Sequence, residues 1–121
     1  MERGAVTALL DWELCGLSVP EEDLAHWLML DWSLWAVTGG PRLAALPSPA
    51  ATVARYEELT GRTTVAMPWW FRFGLVRLAI IYHRIMAVLR QRGKVPADAS
   101  LAAVNPIIPF LAPLFEQDAL P

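Results

Sequence analysis

Between Pro68 and Gly93 the apolar residues Phe71, Leu75, Leu78, Tyr82, Ile85 or Met86, and Leu89 recur at spacings of three and four. That period places them on one face of an α-helix. Pro68 suits the first turn of such a helix and Gly93 its stop. About 25 residues at 1.5 Å each give a rod roughly 38 Å long. A chain of 121 residues has room for one domain, and a rod of that length forms its backbone. The fold is therefore predicted to be mainly α.

The rest of the punctuation divides the chain into one strand and further helices. Ala5-Val6-Thr7-Ala8-Leu9-Leu10 is short, apolar and partly β-branched, and it ends at Asp11. It reads as a short N-terminal β-strand. Glu2-Arg3-Gly4 before it looks like the tail of a hairpin turn. A lone strand cannot satisfy its own backbone hydrogen bonds, and the partner strand is predicted to lie outside this sequence. A first helix opens at Ser18-Val19-Pro20-Glu21, with Ser18 as cap and Glu21 completing a capping box, and Gly39-Gly40-Pro41 ends it. Its buried face is read as Leu24, Trp27, Leu28, Leu34 and Trp35. Ser48-Pro49 opens a second helix that stops at Gly61, and Ser100 to Phe115 reads as a proline-interrupted helical segment. Trp27, Leu28, Leu75, Leu78 and Tyr82 are predicted to be buried together.

Hydrophobic residues make up 55% of the chain and charged residues 18%, a balance that excludes disorder and exceeds the usual apolar share of about 45–50%. The excess, partly six tryptophans, predicts apolar surface meant for a partner, and with it self-association of the isolated chain. A membrane span is not expected. The stretch Trp69 to Leu89 carries Arg72, Arg77, His83 and Arg84, and Leu101 to Phe115 is short and holds three prolines. Residues 1–60 hold nine acids against three bases, and residues 61–121 seven bases against three acids. No basic stripe with interleaved aromatics argues for nucleic acid. The single Cys15 and the absence of a long apolar N-terminal run predict a reducing, cytoplasmic setting.

Leu9-Leu10-Asp11-Trp12-Glu13 sets two carboxylates two residues apart after an apolar segment. Oxygen ligands so placed suit a hard cation such as Mg²⁺. The alternative is that Asp11 caps a turn and Glu13 is solvated. His26 and Trp27 form a candidate ligand pocket, with a purely structural histidine as the alternative. The basic residues of the long helix, His83, Arg84, Arg77 and Arg72, suit either an anionic group or a solvated, salt-bridged face.

The pattern Val6-Thr7-Ala8-Leu9-Leu10-Asp11-Trp12-Glu13-Leu14, then Gly16, Pro20 and Asp23-Leu24-Ala25, resembles the aminoglycoside phosphotransferase and choline kinase-like family. In that family a strand ends in Asp-x-Glu and a helix containing Asp-Leu-Ala follows. The stretch Ala54 to Arg62 and the helix carrying Val76-Arg77-Leu78-Ala79 are similar to members associated with acyl-CoA dehydrogenases. The resemblance covers most of residues 5–93 and implies the helical C-terminal lobe of a protein kinase-like fold. It implies that Asp11, assisted by Glu13, chelates Mg²⁺ on the phosphates of ATP or GTP, and that Asp23 braces the catalytic loop. This chain has Val19 where the family commonly has Asp before the proline.

The family's His-x-Asp catalytic loop with a downstream Asn precedes the metal-binding strand and is not in this sequence. No catalytic residue is therefore assigned to the chain itself. Residues 1–121 read as the metal-binding and acceptor-binding C-terminal part of a phosphotransferase that acts on a small-molecule hydroxyl. An N-terminal lobe would be supplied in cis or in trans, and the chain alone is expected to be inactive, because parts that act as a unit fail together. The second reading is a non-catalytic helical interaction module that binds a protein or apolar ligand through a Trp-rich surface.

Overall fold

A computed structural model describes residues 6–10, 12 and 15–121. Four helices follow in order: α1 (Pro20–Thr38), α2 (Pro49–Thr60), α3 (Met67–Gln91) and α4 (Ile108–Phe115). The mainly helical architecture read from the sequence is thus observed. The strand expected over Ala5–Leu10 is not: residues 6–10 are exposed and belong to no helix or ladder, and Ala5 lies outside the described residues. A strand is defined by a hydrogen-bonded partner, and among the described residues none is in a ladder.

Local chemistry explains most of the helix ends. Ser48 caps α2, its hydroxyl oxygen accepting from the Ala51 amide at 3.1 Å. Gly61, at φ 67°, closes α2 in the left-handed conformation that glycine adopts without steric cost. Gly39 ends α1 in the same way. The start of α1 departs from the expected capping box. Pro20 takes the first helical position, so Val19 is the cap residue and gives no side-chain bond. Ser18 then lies one residue too early to reach the first-turn amides, and its hydroxyl donates to the Glu22 carboxylate instead.

The core forms where α1 crosses α3 and α4 closes one end. Leu28 and Met29 of α1, Phe71 and Leu75 of α3, and Ile107 just before α4 are all but inaccessible to solvent. Trp32 is the centre of an aromatic group, meeting Phe71 edge-on at 5.9 Å and Phe110 at 5.3 Å between ring centroids. Leu78 and Tyr82 pack against this core half-buried, as read from the helical stripe of α3. Trp27 and Leu34, however, are 55% and 71% exposed. α1 turns the row Leu24, Leu28, Trp32 and the adjacent row Ala25, Met29, Ser33 inward, about a third of a turn away from the face expected.

Three polar ties hold the connections. Asp31 and Arg42 form an ion pair at 2.7 Å that fixes the loop after α1. Arg72 of α3 donates from Nε to the Leu114 carbonyl at 3.0 Å, bringing a cation to the C-terminal turn of α4, where the helix dipole is negative. Asn105, buried before α4, bonds to α3.

Candidate functional site

Asp11 and Glu13, the carboxylates that the resemblance assigns to the metal, lie outside the described residues. Their neighbours Leu10 and Trp12 line an open cleft of about 770 Å³ at the N-terminal end of α1. The segment before α1 forms one wall: the Trp12 indole N–H donates to the Leu9 carbonyl at 2.8 Å, and the Cys15 amide to the Trp12 carbonyl at 3.0 Å. Glu22, Asp23 and His26 of α1 form a second wall, and Phe73 and Arg77 of α3 complete the lining.

The first turn of α1 presents three acids, Glu21, Glu22 and Asp23, near its positive end. Glu22 is taken up within the protein, since its carboxylate accepts from both Ser18 Oγ and Arg77 Nη1. The Arg77 guanidinium also lies over the Phe73 ring, 5.7 Å from its centroid. This pair ties α3 to the start of α1 and fixes the mouth of the cleft. Asp23 is exposed at the rim and accepts no hydrogen bond among the described residues. His26 borders the cleft half-buried. Trp27, one residue on and therefore about 100° round the helix, does not line it.

The cleft can hold a polar molecule between aromatic surfaces, Trp12 and Phe73, with exposed Asp23 and half-buried His26 as hydrogen-bonding groups. Among the described residues no group of three or more His, Cys, Asp or Glu is placed to hold a metal ion. The described donor set therefore does not make a Mg²⁺ site by itself, and no chemical step is derived through the metal. Of the basic residues on α3, Arg77 is paired with Glu22, Arg72 serves α4, and His83 and Arg84 are exposed.

Glu22 and Arg77 carried no joint signal in the sequence, because they are 55 residues apart; Glu22 reads there only as one of three first-turn acids. A second, more open depression of about 440 Å³ between α2 and α3 is lined by Val53, Met67 and Leu120 among others. Its carboxylate, Glu57, accepts from the Thr64 amide at 2.7 Å and the Thr64 hydroxyl at 2.8 Å. These bonds hold the Glu57 carboxyl below the usual carboxylate range.

Comparison with protein-family models, with curated proteins and with solved structures finds no match. No helix of the described residues is long and apolar enough to cross a membrane.

Proposed function

We propose that this chain is the metal-binding and acceptor-binding C-terminal part of an ATP- or GTP-dependent phosphotransferase of the aminoglycoside phosphotransferase type, acting on a small-molecule hydroxyl in the cytoplasm. The reading rests on the motif resemblance over residues 5–93 and is supported by one geometric observation. Leu10 and Trp12, which flank Asp11 in sequence, line the same cleft as Asp23 and His26. In this reading Asp11 and Glu13 hold Mg²⁺, which supplies charge neutralisation on the phosphate oxygens. Asp23 braces the catalytic loop that the N-terminal lobe supplies, and His26 faces the acceptor. The general base and the phosphate clamp belong to an N-terminal lobe, in cis or in trans.

The test is to supply an upstream lobe carrying His-x-Asp with a downstream Asn and to measure Mg²⁺-dependent phosphoryl transfer. Transfer should appear and be nearly abolished by Asp11→Ala. A folded, active protein that keeps most of its activity after Asp11→Ala would reject the metal assignment.

The second reading, a non-catalytic interaction module, draws support from aromatic side chains left on the surface. Trp69 stacks on Phe73 at 5.4 Å with both rings exposed, and Trp27 is exposed on α1. Restored transfer activity separates the two readings.

A further inference from the structure

The two helices that build the core carry opposite charge, and each leaves a stripe of apolar and charged side chains outside. α1 contains Glu21, Glu22, Asp23 and Asp31 and no Lys or Arg, whereas α3 contains Arg72, Arg77, Arg84 and Arg90 and no Asp or Glu. On the outer side of α1 lie Asp23, Trp27, Leu30 and Leu34, all exposed. On the outer side of α3 lie Phe73, Ile80 and Arg84, exposed, with half-buried Arg77 between them. Among the described residues the Glu22–Arg77 pair joins the two helices, and neither Asp23 nor Arg84 is in an ion pair.

The two stripes have matching spacing when one is read backwards. Asp23, Trp27, Leu30 and Leu34 are separated by steps of four, three and four residues, and so are Arg84, Ile80, Arg77 and Phe73. An antiparallel pairing of these stripes brings Asp23 opposite Arg84, Trp27 opposite Ile80, Leu30 against the Arg77 stem and Leu34 against Phe73. Residues three and four apart form the ridges by which helices pack. Pairing α3 with a second α3 would instead oppose two helices that carry only basic charge, which costs association energy.

We propose that the outer stripe of α1 in one copy docks antiparallel on the outer stripe of α3 in the next. The contact is heterologous, so a docked pair keeps one free stripe of each kind, α3 on one copy and α1 on the other, and association runs beyond the dimer. Each stripe spans 12 residues and is about 16 Å long from first to last. That is short for the roughly 800 Å² per partner of a standard stable interface, so the association is weak and depends on concentration. This inference does not rest on the phosphotransferase reading, although Asp23, Phe73 and Arg77 belong to both the stripes and the cleft, so a docked copy covers the cleft.

Sedimentation velocity on the purified chain tests it, with Leu34→Arg disabling the α1 stripe and Ile80→Glu the α3 stripe. Both positions are more than half exposed, and circular dichroism checks that the helices persist. The wild-type chain should show a mass that grows past the dimer with concentration and falls several-fold in high salt. Each variant alone should be monomeric, and an equimolar mixture should form a one-to-one dimer and nothing larger. The charge swaps provide a second set: Asp23→Arg or Arg84→Asp alone should weaken assembly, and the two together should restore it. A monomeric wild type, assembly that stops at two copies, or a mixture that stays monomeric overturns the proposal. A monomeric chain that instead sediments with vesicles of anionic phospholipid assigns the basic face of α3 to a lipid surface and equally overturns it.

Discussion

The Asn105 side-chain amide donates from Nδ2 to the Ala79 carbonyl oxygen at 2.8 Å, while its Oδ1 accepts from the Ile107 amide at 3.0 Å. One buried side chain thereby anchors the approach to α4 on the middle of α3. Both bonds are away from water, where an unmet donor costs its full desolvation. Asn105→Ala removes them and leaves the Ile107 amide without this partner. The expected loss is about 2 kcal/mol, measured by urea unfolding followed by circular dichroism. Asn105→Asp keeps the acceptor but not the donor and should also destabilise. An unchanged midpoint for both variants would count against the anchor.

Gly74 lies inside α3 beneath Met29, and a Cβ built there would meet the Met29 Cε at 3.6 Å, an ordinary van der Waals contact. Gly74→Ala should therefore fill space without displacing Met29 and should reduce the entropy lost on forming the helix. A gain of about 0.5–1 kcal/mol is expected, read as a higher melting temperature. A loss of stability would mean that α1 and α3 approach more closely at this point than their geometry indicates.

Glu57 provides a pH-dependent contribution, because the Thr64 amide and hydroxyl hold its carboxyl below the usual range. A folded-state pKa lower than the unfolded one stabilises above the unfolded value, and that stability is lost as pH falls through the folded value. Glu57→Gln should therefore lower the melting temperature at neutral pH, with the difference from wild type shrinking toward acid. A difference that grows as pH falls would contradict this sign.

The purified chain should transfer no phosphate from ATP or GTP to any acceptor hydroxyl, since in-line transfer depends on a base, a phosphate clamp and metal ligands acting together. A radiolabel transfer assay checks this. Measurable turnover that disappears in Asp11→Ala would show that the chain already carries a complete site.

Much of the fold was legible where the determinants are local. Ser48-Pro49 and Gly61 bracket α2, Pro68 falls in the first turn of α3, and Gly93 follows its end at positive φ, because capping and left-handed glycines act within one turn of chain. The inward face of α1 was not legible. Apolar residues surround that helix, with Leu28, Met29 and Trp32 inside and Trp27, Leu30 and Leu34 outside, so a search for one apolar period finds two competing stripes. Packing against Phe71, Gly74 and Leu75 decided between them. The site followed the same division. Sequence pattern alone singled out Asp23 and His26 on one helical turn, but the cleft they border is closed by Arg77, whose partner Glu22 is 55 residues away. The Asn105–Ala79 bond likewise spans 26 residues. Caps and periodicity are written in neighbouring residues, whereas pairings at such separations exist only once the chain has folded back on itself.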